Sequence, residues 1–210
     1  MTAIATKERP ILMCGPMVRA TLDDWKTQTR RVIALREFGP SDTPGYHWHF
    51  RDRRGLWNDI STERLLELCP HGAAGTRLWV RERWGKIHGT DAGVIYRADG
   101  PHDGIKEWKP SIFMPRWASR ILLEITGVRV QRVQEISEED ARAEGVREVT
   151  KDDMVKKYCV YDLGDRSSVP WAEMPRTAVD AYRALWETIN GEGSWAKNPW
   201  VWILGFKRIT

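Results

Sequence analysis

The sequence predicts an α+β fold: one domain of 210 residues built on a mixed β-sheet, with a few flanking helices and long loop insertions. Three observations carry that expectation. Strand patterns fall at the beginning, middle and end of the chain. The last, Trp200-Val201-Trp202-Ile203-Leu204-Gly205-Phe206, is apolar enough to be placed inside a closed or nearly closed barrel. Finally, no internal repeat appears and no linker separates two cores, so residues 1–210 read as a single unit.

The elements follow in order. Pro10-Ile11-Leu12-Met13-Cys14-Gly15-Pro16 reads as a short buried strand closed by a turn. Pro16 sits where a helix can begin, and Val18 and Leu22 share a face four residues apart, so a short helix is expected to end near Trp25-Lys26. Residues 38–75 form the first predicted insertion, because the Gly, Pro, Asp, His and Arg between Phe38 and Asp59 show no sustained period. Arg77-Leu78-Trp79-Val80-Arg81-Glu82-Arg83-Trp84 alternates polar and apolar residues and is the clearest strand. Gly93–Arg97 suggests another strand, and Ile112–Ala118 a mixed apolar and basic turn. β-Branched residues from Ile121 to Val133 mark a buried strand.

Ser137 reads as an N-cap followed by Glu138, Glu139 and Asp140, with Gly145 placed to close the helix. Residues 147–175 form the second predicted insertion. From Thr177 to Ile189, the positions of Val179, Tyr182, Leu185, Trp186 and Ile189 predict an amphipathic helix.

Composition excludes some classes of function. With 41% apolar and 30% charged residues the chain can bury a sizeable core, and no run approaches the ~18 apolar residues of a membrane span. Met1–Pro10 lacks the apolar region of a secretory signal, so a cytoplasmic location without membrane association is expected. Cys14, Cys69 and Cys159 are too few and too scattered for a disulfide framework. A net charge of +4 is compatible with nucleic acid without requiring it. The twelve tryptophans serve either the core or base stacking.

The densest polar run is Trp25-Lys26-Thr27-Gln28-Thr29-Arg30-Arg31. A helix C-terminus would account for Lys26 and Arg30 through the dipole, but would not require two threonines. A desolvated lysine beside a hydroxyl is a base that can activate a nucleophile, and a carboxylate such as Glu144 can return a proton to a leaving amine. Arg81, Arg83, Arg116 and other arginines interleave with tryptophan, which suits phosphate contacts beside stacked bases or a solvated surface. A zinc site at His47, His49, Cys69 and His71 fits none of the common ligand spacings.

Gly15 to Arg31, with Lys26-Thr27, Thr29 and Arg31, resembles the signature segment of ASCH domains of the PUA-like superfamily. Gly75-Thr76-Arg77-Leu78-Trp79-Val80-Arg81-Glu82 is similar to that family's following strand, although Gly-Asp is more usual there than Gly75-Thr76. Ile136 to Gly145 resembles the helix whose last carboxylate faces the pocket, and Trp202 to Lys207 the closing strand. The whole chain resembles larger phage and prophage members. The resemblance implies a PUA-like mixed β-barrel with a nucleobase cleft.

By similarity to small N4-acetylcytidine amidohydrolases, the resemblance also implies catalysis by Lys26, Thr29 and Glu144 without metal or cofactor. Gln28 is expendable on this reading. Thr27, Arg30, Arg31, Trp79, Arg81, Glu82 and Arg116 are the implied contacts to a modified nucleoside, RNA or DNA. Other relatives imply a non-catalytic binding module, RNA cleavage or a role in phage assembly. The insertions have no counterpart in the small enzymes.

Overall fold

The computed structural model describes residues 7–86, 93–102, 105, 107–150, 155–160 and 170–210. Their strands are β1 (Glu8–Leu12), β2 (Gln28–Val32), β3 (Arg36–Pro40), β4 (Trp48–Arg51), β5 (Trp57–Ile60), β6 (Arg77–Arg81), β7 (Trp84–Lys86), β8 (Val94–Tyr96), β9 (Leu122–Arg132), β10 (Val146–Thr150), β11 (Lys156–Val160) and β12 (Trp200–Arg208). The helices are α1 (Gly15–Leu22), α2 (Thr62–Glu67), α3 (Glu138–Ala143) and α4 (Ala178–Asn190). The class is mixed α+β, with several sheets and few helices. No helix among the described residues is long and apolar enough to cross a membrane.

The main sheet has the order β1-β6-β9-β12-β2, parallel only between β1 and β6. Its centre is the long antiparallel pair β9 and β12, whose register shifts between Gly205 and Phe206. Val201, Trp202, Ile203, Leu204 and Phe206 are all buried, which is why so apolar a C-terminal strand lies between two others. The sheet is not closed into a barrel. β1 and β2 are its two end strands, and a side chain spans from one to the other: Arg31 Nη2 donates to the Leu12 carbonyl at 2.7 Å.

Pro16 in the first turn starts α1, which buries Met17, Val18, Ala20 and Thr21. This helix ends at Leu22, three residues before the expected stop. Asp24 takes a positive φ of 60°, and both Trp25 N–H and Lys26 N–H return to the Ala20 carbonyl at 2.9 Å. That reversal carries Lys26 off the helix and into β2's approach. Ser137 caps α3 by accepting from Asp140 N–H at 3.0 Å, and Gly145 leaves the helix at φ 100°. The Glu138 carboxylate accepts from Ala178 N–H and Val179 N–H, so α3 caps the start of α4.

Residues 38–75 do not form the long loop expected. β3, β4 and β5 make an antiparallel meander, followed by α2 with Ser61 as its cap. Phe38 stacks on Trp48 at 5.2 Å, and both rings meet Trp200 of β12, which docks this small sheet on the main one. In the second predicted insertion β10 and β11 form a hairpin, while residues 151–154 and 161–169 lie outside the described residues. Trp79, Trp84, Trp186, Trp195 and Trp202 are buried in cores, whereas Trp57 and Trp117 are exposed.

Candidate functional site

A cavity of about 620 Å³ is enclosed by the exit of β1 into α1, strand β2, the C-terminus of α3, one face of α4, and a fifth wall of Glu82, Arg83, Arg97, Ala98 and Ser111. It lies on the open side of the sheet, between the ends of β1 and β2. Lys26, Thr29, Arg30, Arg31, Glu82 and Glu144 all belong to its wall. Met13, Pro16, Met17, Leu185 and Trp186 supply an apolar part. Thr27, Trp79, Arg81 and Arg116 do not line it. Thr27 is exposed and follows the inward Lys26. Trp79 is buried in the sheet with Arg81 over its ring at 4.6 Å, and Arg116 pairs with Glu8 at 2.6 Å.

Lys26 and Glu144 are 118 positions apart and touch. Lys26 Nζ donates to Glu144 Oε2 at 2.7 Å and to the Glu144 carbonyl at 2.8 Å. Gly145 makes this approach possible: a Cβ there would stand 2.9 Å from Ala20 Cβ and 3.5 Å from Lys26 Cβ. The other Glu144 oxygen accepts from Arg30 Nη1 at 3.1 Å, and Arg30 Nη2 reaches Asp140 at 2.7 Å. Arg129 closes the network on Asp140 at 2.7 Å and on Gln28 Oε1 at 3.0 Å. Gln28, expected to be expendable, is therefore buried and bonded within this network.

Burial dominates the electrostatics. Lys26 and Glu144 are only 3% and 2% exposed, and desolvation pulls the Lys26 ammonium below its ordinary pKa while Glu144 pushes back. Burial also works to raise Asp140, but hydrogen bonds from Arg129 and Arg30 outweigh it and hold the carboxyl below its usual range. Tyr182, buried beside Arg30, has its phenol raised well above its ordinary pKa by desolvation and then by Glu144, so it remains a donor. Thr29 Oγ1 accepts from Arg31 Nη1 at 2.9 Å, which favours negative charge on that oxygen. Lys26, Arg30, Arg31, Arg83 and Arg97 line the cavity against two carboxylates, Glu82 and Glu144, so the site holds an excess of cations.

Glu82 is clamped by Arg120 at 2.9 and 3.0 Å, and Arg120 continues to Asp99. Burial pushes the Glu82 carboxyl up against those bonds. Trp186 lines the cavity, and its buried indole N–H has no hydrogen-bond partner among the described residues; the same holds for Arg30 Nε. Both atoms are shut off from solvent, so it is the apolar ring of Trp186 and the terminal nitrogens of Arg30 that bear on the cavity and its salt bridges. No three His, Cys, Asp or Glu side chains among the described residues form a cluster able to hold a metal ion. His47 Nδ1 accepts from Thr62 N–H at 3.4 Å, and His49 packs edge-on against Trp57.

Tyr182, Leu185 and Trp186 were visible in the sequence only as one apolar helix face. Their role in the wall follows from the packing of α4 against α3, and the Glu138 cap is the one local signal of it. In the sequence Asp140 is a first-turn acid of α3, and nothing in its spacing points to Arg30 and Arg129. In comparisons with known proteins, the chain matches no family model, no curated protein and no solved structure.

Proposed function

We propose that this chain is a PUA-like domain of the ASCH kind whose cavity takes a nucleobase, and that it hydrolyses the acyl amide of an N4-acylated cytosine nucleoside. The observation that carries this reading is the meeting of Lys26 and Glu144 in one buried wall with Thr29. Burying such a pair costs several kcal/mol per ion before their attraction repays it. A merely structural wall is served as well by apolar side chains. The five-stranded sheet has β1 and β2 as its end strands, and residues of both line the cavity.

Desolvation favours the neutral amine of Lys26, which takes the proton of the nucleophile, either the Thr29 hydroxyl or a water. The oxygen attacks the amide carbon, and the carbonyl electrons move to oxygen. Arg31, already at Thr29, stabilises the developing oxyanion. The proton then passes from Lys26 to Glu144 along their 2.7 Å hydrogen bond and on to the leaving nitrogen as the C–N bond breaks. The products are the carboxylic acid and the free exocyclic amine; an acyl-Thr29 intermediate, if formed, consumes the water in a second step. This chemistry calls on no metal. The apolar part of the wall, with Met13, Met17, Leu185 and the Trp186 ring, serves the base.

Incubation with N4-acetylcytidine tests the reading by release of cytidine. Thr29→Ala abolishes release if Thr29 is the nucleophile, and leaves a measurable rate if water is. No cytidine above a protein-free blank overturns the hydrolase.

A second reading has its own support. Both Glu144 oxygens are already occupied by Lys26 and Arg30, an arrangement that suits a fixed recognition site without chemistry. On that reading the nucleoside binds and is recovered unchanged.

A further inference from the structure

Beyond the cavity, the segment 109–117 presents large apolar side chains to solvent from a rigid base. Phe113 is 71% exposed and Trp117 64% exposed, with Ile112 beside them. Pro110 and Pro115 flank a 3₁₀ turn at Ser111–Phe113, and Met114 is 1% exposed, buried with Trp84 and Ala118. The backbone is tied as well: Lys109 N–H donates to the Trp84 carbonyl at 2.9 Å, and Met114 N–H to Ser111. An anchored loop that holds two aromatic rings outward exposes apolar surface at a cost, the usual mark of an interaction site.

This platform is continuous with the cavity. Ser111, in the same turn as Phe113, lines the cavity wall together with Arg83 and Arg97. Trp117 meets Trp84 edge-on at 5.9 Å, and Lys86 Nζ stands 5.0 Å from the Trp117 ring. Lys109 Nζ lies 4.9 Å from the Trp84 ring, and Arg97 sits over Trp108 at 5.7 Å. Among the described residues no ion pair engages Arg83, Lys86, Arg97 or Lys109. Asp99 nearby is bound to Arg120. The rim thus combines exposed π-faces with four cations, while the adjoining cavity has room for one base.

We infer that this rim binds single-stranded nucleic acid, so that the cavity acts on a base carried in a strand rather than on a free nucleoside alone. Phe113 and Trp117 stack bases flanking the one in the cavity, and Arg83, Lys86, Arg97 and Lys109 follow the phosphates. The inference rests on the nucleobase reading for what enters the cavity; the rim's own chemistry is independent of hydrolysis.

The test uses fluorescein-labelled eight-nucleotide oligocytidylate, as RNA and as DNA, with a duplex of the same length, measured by anisotropy. Single strands are expected to bind, and Phe113→Ala/Trp117→Ala to weaken binding at least about 5-fold. With four phosphate contacts, affinity should fall about 50-fold between 50 and 200 mM salt, and less steeply in Lys86→Ala/Lys109→Ala. Turnover of free N4-acetylcytidine should be unchanged in both variants. Binding of either the RNA or the DNA strand supports the inference. It is overturned by no binding at 50 mM salt, by affinity indifferent to the aromatic pair, or by duplex bound as tightly as single strand. It is also overturned if the aromatic substitutions instead dissociate a dimer of the chain, which makes a second copy the occupant. If the strand binds through the rim but N4-acetylcytidine is not hydrolysed, the hydrolase falls and the rim stands. Hydrolysis without strand binding gives the reverse.

Discussion

Replacing Glu144 by Gln removes one charge from the centre of the buried network and keeps its shape. Lys26 then keeps the Glu144 carbonyl at 2.8 Å and Arg30 keeps Asp140 at 2.7 Å, but the ammonium has lost its anion. Breaking a buried pair from one side costs about 3–5 kcal/mol, and the retained bonds place Glu144→Gln near the lower limit, about 3 kcal/mol. Lys26→Met leaves Glu144 beside Arg30 at 3.1 Å but orphans its Oε2 and carbonyl, so about 2–3 kcal/mol is expected. The double variant should be more stable than the sum of the two by at least about 1.5 kcal/mol, because it leaves no orphaned ammonium.

Urea unfolding followed by fluorescence of the buried tryptophans measures all three. The Glu144→Gln deficit should also shrink with pH. Without Glu144 the Lys26 pKa falls further, the unfolded chain holds the extra proton over a wider span, and stability rises with pH across it. A Glu144→Gln cost below about 1 kcal/mol, or additivity within about 0.5 kcal/mol, would refute a buried ion pair at the heart of the site.

Other outcomes follow from single residues. His71 has its pKa lowered to about 4, first by burial and then by the charges of Arg31 and Arg9. The unfolded chain therefore binds the extra proton between about pH 6.5 and 4, and stability falls across that window as pH drops, by up to about 3 kcal/mol. In His71→Gln that part of the acid slope should vanish; urea midpoints at pH 7 and 4.5 that move in parallel with the parent would contradict it. Gly145→Ala should cost about 2–3 kcal/mol and lower hydrolysis with it, since the added Cβ meets Ala20 at 2.9 Å as well as a positive φ. Gly55→Ala, at φ 82° with nothing within 4 Å of the added Cβ, should cost only about 1 kcal/mol, and equal losses would remove steric contact as the cause.

Elements with local signals were legible in the sequence. Ser137 names the helix it caps, the apolar spacing from Val179 to Ile189 names α4, Pro16 names the start of α1, and the run from Trp200 to Phe206 names an inner strand. The meander at 36–60 was not, because its period is broken by turns and a register shift between Arg36 and Gly39, and its stability comes from Trp200, some 150 residues away. Trp79 and Arg81 are contacts implied by the resemblance, yet the Arg81 guanidinium lies over the Trp79 ring and neither lines the cavity. Arg30 looked like a helix-end cation because Lys26 to Arg31 follows α1; the positive φ at Asp24 turns that run into a strand and buries Arg30. Such a reversal leaves only a weak mark in sequence.

The most direct measurement is N4-acetylcytidine turnover by the parent and by Lys26→Met, both shown to be folded by their urea transitions. Cytidine is expected from the parent and none above blank from Lys26→Met, with the parent's rate rising with pH through an inflection below the ordinary lysine value. Equal turnover by both proteins, or none by the parent, would contradict a catalytic Lys26–Glu144 pair.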